Sequence, residues 1–404
     1  MKQKGIKNEG ITLLALVITI IVLIILSAIT ISALMGENGL ITRTIAARDG
    51  TEVARVVELE QLQFMEGKIA KQNLVTNGSW NGVINTPKLA DGMIPIAWDS
   101  NNNEFVPETD DEWYNYEAQK GTTENGGTSR WANAKTEDGS YWVWIPRFEY
   151  RIDYTGVVQG VDTDITKAGK IEVNFIEISQ TTPTNGYTIH PAFINDINIG
   201  GWDSEIPGFW VAKYEMSMKV NGVPTEAFSV AEGNVAISDT VKAVSKPGLK
   251  SWNLINLANS FENAFNYNRS LNSHLIKNSE WGAVAYLTHS QFGRNGTEID
   301  KNSTAITGGG VGDKYRLNVK QSSTGNITGV YDLRGGLSEY VAAFNSRFSG
   351  ERYTGAGYVS VTGKHFASYN GVSTRYATAY SFSAWATTVN AALMPGASYI
   401  RRFN

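Results

Sequence analysis

The chain has 404 residues, a net charge of −4, 42% hydrophobic and 11% aromatic residues, forty glycines, four histidines and no cysteine. The lack of thiols excludes disulfides, cysteine nucleophiles and thiolate metal sites, and His190, His274, His289 and His365 form no HxxxH or HxH zinc pair. No basic run points to nucleic acid, while the apolar content suffices for a core and the Gly, Asn, Ser and Thr content suits a loop-rich domain held by packing or ions.

Residues 1–10 form a basic leader in which only Glu9 opposes Lys2, Lys4 and Lys7. Residues 11–36 carry no charge and read ITLLALVITIIVLIILSAITISALMG. A helix of about 25 residues is about 38 Å long and crosses a hydrocarbon core of about 30 Å. The expectation is a single transmembrane helix with the N-terminus cytoplasmic and the remainder extracellular. The apolar run is too long for an ordinary secretory signal, and a plain signal anchor is the simpler alternative. KGIKNEG followed by ITLLALVITIIVLIILSAITI resembles a type IV prepilin leader, the class III signal peptide. That resemblance implies cleavage by a prepilin peptidase between Gly10 and Ile11, and membership of a pilus beside other pilin-like subunits. The family places Glu at the fifth mature position, where it pairs with a neighbour's amine; Ala15 stands there in this chain. The departure favours a tip, minor or membrane-retained form.

Gly36, Asn38 and Gly39 interrupt the helical pattern, which resumes as an amphipathic stalk over 37–72, with Ile41, Ile45, Val53, Val56, Val57, Leu62, Met65 and Ile69 mostly at three- and four-residue spacing. Residues 73–140 read as a polar connector with Asn-Gly, Thr-Pro and Asp-Gly turn signals. From Tyr141 the texture changes: YWVWIPRFEYRI and PGFWVAKYEMSM (207–218) read as strands. Residues 251–269, with Leu254, Leu257, Phe261 and Phe265 on one face, and 273–293 read as helices; 323–344 reads as glycine-rich turns and a strand. The alternation suggests one α+β domain over 141–404.

Three ordered segments carry a second resemblance: GFWVAKYEMS (208–217), SEWGAVAYLT (279–288) and GVYDLRGGLSEYVAA (329–343). They resemble the formylglycine-generating-enzyme, or sulfatase-modifying-factor, branch of the C-type lectin fold. The implied fold class is α+β: a long pilin-like helix followed by a C-type lectin-like domain. That family's oxidase chemistry depends on an active-site cysteine pair, which this chain lacks, so the implied role is a non-catalytic binding platform of adhesin or receptor type. An enzyme with divergent chemistry and a minor structural pilus subunit are the alternatives. Glu215, Glu280 and Glu339 recur at motif positions. They read as acceptors that cap loops, with ligation of a structural calcium as the functional alternative.

The tail, 366–404, is rich in Ala, Ser, Thr, Tyr, Asn and Gly with scattered aromatics, the composition of a paratope. In place and composition it resembles the variable region of retroelement-diversified proteins. The candidate contacts are Tyr369, Asn370, Tyr376, Tyr380, Ser381, Phe382, Ser383 and Trp385, directed at an extracellular protein or glycan. The competing expectation is that they are ordinary residues closing the domain.

Overall fold

The computed structural model describes residues 85–118, 128–153, 170–196, 201–345 and 378–380, together with helical positions 20, 21, 23, 48, 51, 55, 58, 59 and 61–69. The chain divides into two units, Met1–Gln63 and Phe64–Asn404. In the first, the described residues are helical, and Ile20, Ile21, Leu23, Leu59 and Leu62 are exposed. The second unit carries the sheets.

Alternating apolar and aromatic residues build its five-stranded antiparallel sheet, ordered β2-β1-β3-β4-β8 from β1 (Met93–Trp98), β2 (Glu104–Phe105), β3 (Asn133–Thr136), β4 (Tyr141–Pro146) and β8 (Gly208–Ala212). The β3–β4 hairpin turns at Gly139 (φ +80°), with Asp138 accepting the N–H of Ser140 at 3.0 Å and the hydroxyl of Thr136 at 2.7 Å. Every residue of β4 except Trp142 is buried, as expected of a strand covered on both faces. The stretch expected as one strand over 141–152 is two. At Arg147 the chain leaves the sheet, its N–H donating to Pro207 O (2.8 Å) and its carbonyl accepting from Ile176 (3.3 Å). β5 (Phe148–Asp153) then enters a second sheet with β6 (Lys170–Phe175) and β7 (Thr188–Ile189), ordered β6-β5-β7. A third sheet joins β9 (Ser217–Val220), β10 (Val223–Pro224) and β11 (Val241–Val244). β12 (Ala343–Asn345) pairs in parallel with β13 (Thr378–Tyr380).

Helices α1 (Asp110–Trp113) and α2 (Val230–Gly233) are single turns. α3 (Leu257–Tyr267) starts where Asn256 Oδ1 accepts the N–H of Asn259 at 2.8 Å. Residues 251–256 are therefore not helical, and Leu254 sits exposed at φ +56° rather than on the helix face. α4 (Asn278–His289) is buried from Ser279 to His289, the pattern of a helix apolar or small on all sides. It packs against β6 and the short 3-10 turn Pro191–Phe193. Between them lie Trp131, Val143, Ile145, Phe148, Phe193, Val284 and Leu287 in one apolar cluster. His190 belongs to this core: its Nδ1 accepts the N–H of Ala192 at 3.2 Å, and burial pushes its pKa down to about 3, so it stays neutral.

Two expectations are corrected. The α+β molecule led by a long pilin-like transmembrane helix and continued by a C-type lectin-like domain gives way to a mostly β-sheet domain with few helices. Among the described residues, thirteen strands are present and no helix is long and apolar enough to cross a membrane. Of the run 11–36, Ile20, Ile21 and Leu23 are described. Strands of two to six residues interleaved with Gly, Asn and Asp are too short for their period to stand out in sequence. The polar connector of 73–140 also supplies three strands of the central sheet, because β1 pairs with both β2 and β3 and β3 pairs with β4.

Candidate ligand-binding cleft

β8 forms the edge of the central sheet, and all five of its residues line an open cleft of about 970 Å³. Its register against β4 places Trp144 opposite Trp210 and Trp142 opposite Ala212. Side chains alternate along a strand, so Trp142, Trp144 and Trp210 share one face. The Trp144 and Trp210 rings lie 5.3 Å apart, and Trp210 stacks on Trp113 at 6.5 Å. The indole N–H groups are already satisfied: Trp210 Nε1 donates to Lys88 O (2.8 Å) and Trp144 Nε1 to Asn85 O (3.2 Å). The rings are thereby fixed as apolar walls.

Gly208 opens β8 because nothing larger fits. A Cβ there would lie 2.5 Å from both Ile145 O and Trp144 Cζ2, at φ +155°. Gly208→Ala is expected to displace Trp144 and to lower stability by about 1–3 kcal/mol. Thermal unfolding measures the loss and near-ultraviolet circular dichroism reports the altered indole environment.

The opposite wall comes from the third sheet's flank, α3, the N-terminal end of α4 and the segment 330–340. Trp202 lies edge-on to His274 (5.5 Å) with Lys277 Nζ 3.9 Å from its ring centre. Trp252 is fixed by its Nε1 donating to Gly233 O at 2.8 Å. All of these residues except Lys277 and Gly233 line the cleft.

Glu215, Glu280 and Glu339 converge on the cleft, each already engaged. Glu280 Oε2 accepts the backbone N–H of Lys277 at 2.8 Å, with His274 Nε2 at 3.1 Å and Lys277 Nζ 3.8 Å from Oε1. Burial alone would raise this carboxyl, but His274, Lys277 and these hydrogen bonds together hold it below its ordinary value. Glu339 Oε2 accepts the indole N–H of Trp281 at 2.7 Å. Desolvation by its surroundings pushes its pKa up, and the Trp281 hydrogen bond opposes that rise. Glu215 accepts the hydroxyl of Ser251 and the N–H of Leu337 (2.9 Å). Burial, then repulsion from Asp332, pushes its pKa up to about 8. Gly336, at φ +67°, makes room for it, since a Cβ there would lie 2.6 Å from Glu215 Oε1.

Two buried groups anchor this wall from behind. Asp332 is 2% exposed and accepts from Asn302 Nδ2 (2.9 Å), the Gly308 N–H (2.9 Å) and the Glu215 N–H (3.4 Å). Burial still raises its pKa to about 6. Lys213, fully buried at the end of β8, donates to Asn133 Oδ1 (2.8 Å), Ile327 O (2.6 Å) and Gly329 O (2.9 Å). Its ammonium lies 4.6 Å from the Trp98 ring centre, and burial lowers its pKa well below the usual lysine value.

The three glutamates act as hydrogen-bond acceptors within the fold. Among the described residues, no three or more His, Asp or Glu side chains are grouped to hold a metal ion. Gly10, Ile11, Tyr369, Asn370, Tyr376, Ser381, Phe382, Ser383 and Trp385 lie outside the described residues. The backbone of Tyr380 is described, and it pairs in β13 with Asn345. Sequence reasoning passed over the indoles of β4 and β8. Their signal was present as Trp at alternate positions in YWVWIP and as the aromatic run of GFWVA. The chain matches no protein-family model and no curated protein. The chemistry of the cleft therefore carries the functional reading.

Proposed function

We propose that this protein is a ligand-binding module of adhesin or receptor type, non-catalytic, with the tryptophan-lined cleft beside β8 as its binding site. The observation that carries this is the convergence of Trp142, Trp144, Trp202, Trp210 and Trp281 with Glu215 and Glu339 on one open cleft of about 970 Å³. A concave, largely apolar site with a few fixed polar groups is the usual form of a ligand pocket. Each of these indoles already donates its N–H, Trp144, Trp202 and Trp210 to backbone carbonyls and Trp142 and Trp281 to side chains, so binding needs little further ordering. The carboxylates accept hydrogen bonds from backbone, hydroxyl and indole donors, a role of position rather than of proton transfer.

The test is the full chain presented to arrays of glycans and of peptides, in parallel with Trp210→Ala. Wild type is expected to retain a ligand that the variant binds about tenfold or more weakly, the loss typical of a central aromatic anchor. An identical set of retained ligands, at equal affinity, would place the site elsewhere.

A further inference from the structure

Among the described residues, β8 is an edge strand without the usual protection. Three hydrogen bonds around the ladder show which of its backbone groups face β4. Lys213 N–H donates to Tyr141 O (2.9 Å), Arg147 N–H to Pro207 O (2.8 Å), and Trp144 N–H turns away to Ala132 O in the opposite direction (2.9 Å). With the register of Trp144 opposite Trp210, antiparallel alternation aims the N–H and C=O of Phe209 and Val211 at β4 and those of Gly208, Trp210 and Ala212 outward. No hydrogen bond among the described residues takes up these outward backbone groups. All five residues are half-buried and all five line the cleft. Natural edges are blunted by charge, proline, bulges or cover. GFWVA has no charge, proline or bulge.

We infer that the ligand of this cleft is an extended polypeptide segment that adds to β8 as a sixth strand, with its backbone paired to Gly208, Trp210 and Ala212. This rests on the cleft being the binding site and names the class of ligand it takes. The pairing groups recur every second residue, about 6.6 Å apart, a repeat that an extended peptide matches and the hydroxyls of a sugar ring do not. The flanking indoles of Trp144, Trp202 and Trp210 offer apolar contact to alternate side chains of the added strand, the mode in which backbone gives affinity and side-chain pockets give selectivity. Past Ala212 the cleft reaches Glu215 and Glu339, so a polar side chain suits the end of the segment that lies there.

The experiment uses the full chain and a library of random heptapeptides, followed by N-methylation of the strongest binder one residue at a time. The expected result is a period-two pattern: methylation at alternate residues weakens binding about tenfold, the worth of one to two hydrogen bonds, and the intervening positions change it little. Ala212→Pro removes an outward N–H without touching the β4 ladder and is expected to weaken the same peptide about tenfold. Amide exchange on the wild-type chain gives an independent readout, with the Trp210 and Ala212 amides slowing when peptide is added. A period-two pattern, or protection confined to those amides, supports strand addition. Uniform tolerance of N-methylation, or exchange at Trp210 and Ala212 unchanged under saturating peptide, overturns it. Glycans that bind in a Trp210-dependent way while no peptide does would overturn the strand inference and leave the cleft reading standing. Peptides whose binding ignores Trp210→Ala would overturn both.

Discussion

Lys213→Met is expected to lower the free energy of unfolding by about 3 kcal/mol, the largest effect of any single change proposed for this protein. The ammonium is fully buried and serves three acceptors: the side chain of Asn133 and the carbonyls of Ile327 and Gly329. Methionine fills the volume and removes all three donors. The desolvation cost of the ammonium is recovered, but three buried acceptors lose their partner, at about 1–3 kcal/mol each. The net effect is destabilising because the ammonium at the end of β8 ties together two separate stretches, β3 and the loop at 327–329, whose acceptors are left unpaired. Urea unfolding checks this. The midpoint falls with an unchanged slope, since the surface exposed on unfolding is the same. A midpoint equal to wild type would mean that the three acceptors find other partners.

Raising the pH from about 5 to about 8 is expected to destabilise the protein by several kcal/mol, the reverse of the common carboxylate pattern. Glu215 and Asp332 have folded-state pKa values of about 8 and about 6, above the ordinary 4.5 and 3.8, chiefly through burial. The folded chain therefore holds protons that the unfolded chain has released. Each group's contribution is fully present below its unfolded value and is lost as pH rises through the folded one. At about 1.4 kcal/mol per tenfold in proton affinity, Asp332 alone is worth about 3 kcal/mol. Glu280 and His190 work in the opposite sense: the carboxyl is held low and the imidazole is kept neutral by burial, so the stabilisation each gives is lost as pH falls and offsets part of the decline. The melting temperature should pass through a maximum near pH 5 and decline toward pH 8, and Glu215→Gln should flatten the decline. A melting temperature that holds level or rises from pH 5 to pH 8 would contradict the burial of these carboxyls.

Local signals in the sequence located the pieces of this site but not their meeting. YWVWIP and GFWVA read as strands because aromatic and β-branched residues dominate them, and both are strands. The helix expected over 273–293 is α4, Asn278–His289. It starts later because Glu280 turns back to the N–H of Lys277. Glu215, Glu280 and Glu339 stood out at motif positions, and all three line the cleft. The pairing of β4 with β8 spans a separation of more than sixty residues, from Trp144 to Trp210, and no local pattern encodes it. Asp332 gave no signal either, because its burial depends on a positive φ of 63° and on acceptance from Asn302 and Gly308. The strands of 93–136 were hidden for a third reason. Their flanking turn residues outnumber their apolar ones, so the segment reads as connector although β1 is buried at every position.

A blocking experiment addresses the cleft most directly, and the absence of native cysteine makes it clean. Ser204 is exposed and lines the cleft, so in Ser204→Cys a bulky maleimide attaches at that position alone. The unlabelled variant should bind the array-captured glycan or peptide as wild type does, and the labelled variant should lose it. Undiminished binding by the fully labelled protein would show that the ligand sits elsewhere.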